Sequence, residues 1–111
     1  MAHYVFLVVN DETFRDQPKA ELDRIYAEVT RWSDEMTAKG ILKGGSQLAP
    51  KRTAMTVRRV NGQMKVFDGP FIESKEHVGG YMMIDVPDLD EAIRVARSFP
   101  ATIEVRPTVE H

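Results

Sequence analysis

Two side chains near the middle of this chain are of types that move protons. Asp68 stands in Phe67-Asp68-Gly69-Pro70-Phe71, and His77 follows nine residues later. A carboxylate on a dry face resists ionisation and becomes a candidate general acid or base. Histidine is the residue whose ordinary titration lies near neutrality, and His77 is the one interior histidine, with His3 and His111 close to the ends. Asp68 and His77 are therefore the catalytic candidates. Arg58, Lys65, Glu73 and Lys75 are the ligand-binding candidates: two cations of a predicted hairpin, then an acid and an ammonium of the polar run Glu73-Ser74-Lys75-Glu76-His77.

Each candidate also has a plain structural reading. Asp68 can accept hydrogen bonds from the backbone after it and hold a bend. Gly69 gives freedom before Pro70, which fixes φ, and Phe71 can pin the loop to the core. Polar runs between strands are commonly solvated loops. Gly79-Gly80 reads as a bulge, with close approach of a ligand as the alternative. Like charges opposed on a hairpin are unfavourable, so Arg58 and Lys65 either fan into water or hold an anion, or a carboxylate such as Glu104 or Asp85, between them. How near Asp68 and His77 come in space is not readable from their spacing.

The elements that position these residues follow from periodicity. The stretch 3–10, HYVFLVVN, is apolar at both alternating sets, Tyr4/Phe6/Val8 and Val5/Leu7/Val9, which predicts a strand covered on both faces. Residues 16–40 read as a long amphipathic helix, with Asp16 able to cap, Pro18 in the first turn and Gly40 as the stop. Its apolar stripe is Leu22, Ile25, Tyr26, Val29, Trp32 and Met36. The stretch 41–50 is a glycine-punctuated connection with room for one short strand.

Asn61-Gly62 predicts a type I′ hairpin turn. A two-residue loop sets the register: Val60 faces Gln63, Arg59 faces Met64, Arg58 faces Lys65, Val57 faces Val66, Thr56 faces Phe67 and Met55 faces Asp68. Asp68 then ends the drier face, that of Met55, Val57, Met64 and Val66. A strand over GGYMMIDVP leads into a helix with Asp88 as N-cap and Glu91 completing a capping box. Leu89, Ala92, Ile93, Ala96 and Phe99 form its expected buried stripe. The last strand alternates Ile103/Val105 against Glu104/Arg106.

The expected order is β-α-(β)-β-β-β-α-β in a single domain spanning 1–111: an α+β, ferredoxin-like plan with two helices on one face of an antiparallel sheet. Two helices leave the other face open while the first strand is apolar on both sides, so a homodimer is expected to cover it, on the scale of about 800 Å² per partner.

Composition narrows the chemistry. With no cysteine among 111 residues, disulfides, thiol catalysis and thiolate metal sites are excluded. Three scattered histidines make no metal-ligand spacing, and no phosphate-cradling glycine motif or Ser/His/Asp elbow appears, so neither metal nor cofactor is expected. The methionines fall on predicted core faces and need no cofactor to explain them. A net charge of −2 gives no reason to expect nucleic acid or an acidic membrane as partner. No apolar run approaches the roughly 20 residues of a membrane helix, and the N-terminus lacks the basic region and cleavage site of a signal peptide. A cytoplasmic setting is the expectation.

DGPFIESKEHVGGYMMIDVPDLDEAIRVA followed by IEVRP resembles the YCII-related family, in particular its DGPF subgroup, and the likeness runs over nearly the whole chain. The resemblance implies a ferredoxin-like fold that dimerises as a dimeric α/β barrel, a family largely without assigned reactions, and links of DGPF proteins to extracytoplasmic-function sigma factors. A His–Asp pair proposed for some relatives places its histidine in the first helix. Residues 17–40 here hold no histidine, and Val29 stands about where it would be. Two functions are expected on this basis. One is a cleft-bearing homodimer for a small organic molecule, with metal-independent proton transfer of isomerase or lyase type. The other is a non-catalytic ligand-sensing or regulatory module linked to a sigma factor.

Overall fold

The computed structural model describes residues 2–11, 13–71 and 76–110. Strand β1 (Ala2–Asp11) leads through a 3-10 turn (Phe14–Asp16) into helix α1 (Lys19–Ala38), followed by β2 (Leu42–Gln47). The hairpin β3 (Met55–Val60) and β4 (Gln63–Asp68) comes next, then β5 (Glu76–Val86), α2 (Leu89–Arg97) and β6 (Thr102–Pro107). Four strands form an antiparallel sheet in the order β2-β5-β1-β6, and β3 and β4 pair only with each other. This is an α+β, ferredoxin-like arrangement with a hairpin inserted between β2 and β5.

Local signals explain where the elements stop. Gly40 takes a φ of +74°, its N–H bonds Thr37 O and Ile41 N–H bonds Met36 O, which closes α1 as a Schellman motif. Asp88 accepts a hydrogen bond from Glu91 N–H at 2.9 Å and caps α2. The reciprocal half of the expected capping box is missing, because the Glu91 carboxylate pairs with Arg94 instead. That cation beside it holds the Glu91 carboxyl below its ordinary value. Asp16 does not cap α1: it ends the 3-10 turn, and Pro18 stands at the N-cap with no side-chain bond.

The core lies between the sheet and the helices. Tyr4 and Phe6 of β1 meet Met82, Ile84 and Val86 of β5, with Trp32, Met36, Ala92, Val95 and Phe99 from the helices. Trp32 stacks edge-on against Phe99, with ring centroids 5.0 Å apart, and its indole N–H donates to Ser98 Oγ at 2.8 Å. The buried face of α2 is rotated from the expected stripe. Val95 is buried while Leu89 and Ile93 are exposed, because only the Ala92/Val95/Phe99 side reaches the sheet.

Among the described residues no helix lies over the opposite sheet face, and Tyr81 and Met83 are exposed there. Opposed residues share a side of a sheet, so the register places Val5 beside Met83 and Leu7 beside Tyr81 on that face. Met55 and Met64 are exposed as well, on the hairpin. Of the methionines expected in the core, Met36 and Met82 are buried. The others stand on faces that one chain leaves uncovered.

Candidate functional site

A cleft of about 440 Å³ opens between α1 and the sheet. Ile25, Tyr26, Val29, Ser33 and Thr37 of α1 form its roof, and β1, β5 and β2 its floor. The roof residues recur at three- and four-residue spacing, so the helix presents them as one stripe. Gly44, Gly45, Gly79 and Gly80 make much of the floor and leave it free of side chains there. Gly80 is buried, and a β-carbon there would start 3.1 Å from Ser46 O and 3.8 Å from Val8 Cβ.

The lining is mostly apolar, with a few polar groups. Gln47 Nε2 donates to Tyr26 Oη at 3.1 Å, which leaves the phenol O–H to donate elsewhere. Asn10 ends the apolar run of β1 and presents its amide to the cleft. A second chamber of about 210 Å³ adjoins the first and shares Asn10, Phe14 and Gly79 with it. Arg15, Leu48 and His77 are among its walls, and Arg15 Nη2 donates to Leu48 O at 2.8 Å.

His77 belongs to strand β5 rather than to the expected loop. Val8 pairs with Gly80 and Val9 with Val78, so Gly79 is the extra residue of a β-bulge. This is the bulge expected at the double glycine, and it reverses the alternation of the strand below it. His77 is thereby opposed to Asn10 and turned to the helix side, toward the chamber. Its Nδ1 is buried without a hydrogen-bond partner. An empty lone pair costs less in such a place than an unbonded N–H, so the favoured neutral tautomer carries its proton on Nε2.

The other candidates lie apart from this cleft. Met55 faces Asp68 and Arg58 faces Lys65, as the Asn61-Gly62 turn predicts. The exposed Asp68 lines neither chamber, and no hydrogen bond or ion pair joins it to His77. The Arg58 guanidinium lies over the Phe71 ring, 5.2 Å from its centroid. The carboxylates weighed as partners for Arg58 and Lys65 are engaged elsewhere: Glu104 with Arg106 and Asp85 with His3. Glu73 and Lys75 fall outside the described residues.

Sequence reasoning missed Asn10, Tyr26, Ser33 and Thr37 as cleft residues. Ser33 and Thr37 each follow a core residue of α1, and that was the available signal: polar groups four apart beside an apolar stripe. It missed also the His3–Asp85 hydrogen bond on the open sheet face, which unites two residues far apart in the chain.

Among the described residues no three His, Asp or Glu side chains cluster as a metal site, and no helix is long and apolar enough to cross a membrane. The family model for the YCII-related domain matches residues 2–106. An uncharacterized protein of Rhizobium meliloti (strain 1021) is 35% identical over 111 residues, covering 94% of this chain and 90% of that protein. The insertion of a hairpin into a ferredoxin-like sheet, the glycine bulge of β5 and the capped α2 are thus the form taken here by a chain that belongs to the YCII-related family.

Proposed function

We propose that the chain acts as a homodimer whose α1–sheet cleft takes a small organic molecule, and that its chemistry is metal-independent proton transfer of isomerase or lyase type. One observation carries the reading: an apolar cleft of about 440 Å³ lies beside a chamber lined by His77, with Asn10 and Gly79 between them. That volume falls within the range of small-molecule sites, which are mostly apolar with a few convergent polar groups. The ligand that fits has an apolar body and one or two hydrogen-bonding groups, oriented by the Asn10 amide and the Tyr26 hydroxyl. His77, on the adjoining chamber, is the group assigned to proton transfer in this reading. Asp68, the other residue proposed for catalysis, has its place on the hairpin and acts on the dimer. Arg58 and Lys65 lie with it there, and the assignment to the DGPF subgroup rests on the turn that Asp68 begins.

Ligand-observed NMR with a panel of monocyclic phenols, lactones and short carboxylic acids tests the cleft. Binding by the native chain and by Ser33→Ala, lost in Ser33→Trp, is the expected pattern. Equal binding by Ser33→Trp would move the site elsewhere. Proton–deuterium exchange into a bound ligand, abolished in His77→Gln, supports the enzymatic reading. Binding without exchange would instead make the chain the ligand-sensing module.

A further inference from the structure

Among the described residues nothing covers the hairpin β3–β4. A two-stranded hairpin is at best marginally stable alone and needs a third strand or a packed face. These two strands pair only with each other. Their shared face carries Met55, Val57, Met64 and Val66, exposed by 59, 56, 56 and 63%. A contiguous apolar patch of this kind marks an interaction surface in a soluble chain.

The hairpin does not fold back to supply its own cover. The molecule measures 47 × 44 × 18 Å, and 18 Å is the thickness of one sheet and one helix layer. Its radius of gyration is 16.2 Å, against roughly 13 Å for a compact chain of this length. The hairpin therefore extends outward as an arm in the plane of the body. The body has an unmet surface of its own, the sheet face of Val5, Leu7, Tyr81 and Met83.

Charge identifies the occupant. From Lys51 to Asp68 the chain carries five cations and one carboxylate; the rest holds 10 of its 15 basic and 16 of its 17 acidic residues. Arg59, opposed to Met64, is the cation on the apolar face itself, while Arg58 and Lys65 stand on the other face of the hairpin. The arm as a whole is basic and the body acidic, so the two suit each other between two copies. Glu76, Asp85 and Glu104 lie on the strands that frame the open sheet face, Asp85 paired within the chain with His3 and Glu104 with Arg106. Two unmet, complementary surfaces on one chain satisfy the condition for a closed two-fold dimer.

We infer that the hairpin is a clasp: its Met55/Val57/Met64/Val66 face packs on the open sheet face of a second copy, and the exchange is mutual. This rests on the homodimer proposed above and names the parts that make it. Asp68, at the end of that apolar face, is then drawn into the interface.

The chain has no cysteine, so single cysteines report on contact directly. Val66→Cys and Met83→Cys are prepared in separately tagged copies, mixed and oxidised. A disulfide-linked dimer holding both tags, at twice 12.6 kDa, is expected. Linkage of Val66→Cys only to itself would overturn the clasp, since the arms would then meet each other. Val57→Glu with Val66→Lys, an opposed pair of opposite charge at exposed positions, should leave circular dichroism unchanged and weaken the dimer at least 100-fold in sedimentation. A dimer broken by Met83→Glu yet intact in this arm variant would overturn the clasp while sparing the homodimer. A native chain that is monomeric at 50 μM would overturn both.

Discussion

The side-chain amide of Asn10 occupies the space that a β-carbon on Gly79 would need, and the two residues together form the wall between the cleft and the His77 chamber. Gly79 is the bulge residue of β5, so one glycine both re-aims His77 and seats the amide. Gly79→Ala must displace Asn10, at a cost of about 1–3 kcal/mol typical of overpacking. Asn10→Ala empties that space. The double variant should therefore be more stable than Gly79→Ala alone, a coupling read from three melting curves. Additive losses would show that the amide moves aside freely.

The cap of α2 offers a simpler measurement. Asp88 accepts from Glu91 N–H, and α2 supplies Ala92 and Val95 to the core. Asp88→Ala should cost about 1 kcal/mol, while Asp88→Ser, which keeps an acceptor, should cost much less. Denaturant melts of the two variants decide it. Equal losses would mean that the carboxylate's charge, not its hydrogen bond, holds the helix end.

Much of this fold is legible in short-range patterns, and the reason is physical. Asn61 and Gly62 take φ of +51° and +80°, as a type I′ turn requires, and the whole β3–β4 register follows from that pair. The Gly40 stop of α1 and the Asp88 cap of α2 depend on a few neighbouring residues in the same way. What is not legible depends on contacts between distant elements. The dry face of the hairpin reads as core because alternation reports which residues are apolar, not what covers them. His77 reads as a loop residue because the bulge that turns it inward is defined by pairing with β1. The cleft itself arises where glycines of β5 and β2 pass beneath α1, and no local pattern reports that meeting.

Gly69 governs the base of the arm. Its φ of +92° is one that a β-branched residue reaches only under strain, and the position is held by hydrogen bonds. Gly69 N–H donates to Ala54 O at 2.8 Å, and Thr56 Oγ1 donates to Gly69 O at 2.7 Å. Gly69→Val should lower stability by about 1–3 kcal/mol, seen as a lower melting temperature. Thr56→Val should share part of that loss. An unchanged melting temperature in Gly69→Val would make the turn permissive and leave its glycine to be explained by function.

Asp68 and His77 stand on different sheets, and that separates their expected behaviour. Asp68 is exposed at the end of β4, and its side chain accepts none of the hydrogen bonds that hold the turn. Asp68→Asn should then change the stability of the isolated chain by no more than about 0.5 kcal/mol, as surface substitutions do. In the clasped dimer the same carboxylate meets an apolar interface, where a charge is costly. Its removal should therefore tighten the dimer, measured as a lower dissociation constant in sedimentation. His77→Gln acts on the chamber beside Asn10 and should leave dimerisation unchanged while abolishing proton exchange into a cleft ligand. In the double variant the two effects should simply add, because sites without shared partners are independent. Loss of exchange in Asp68→Asn alone, with His77 intact, would instead join the two carriers into one acid–base pair. The arm of one copy would then have to bring Asp68 to the His77 chamber of the other.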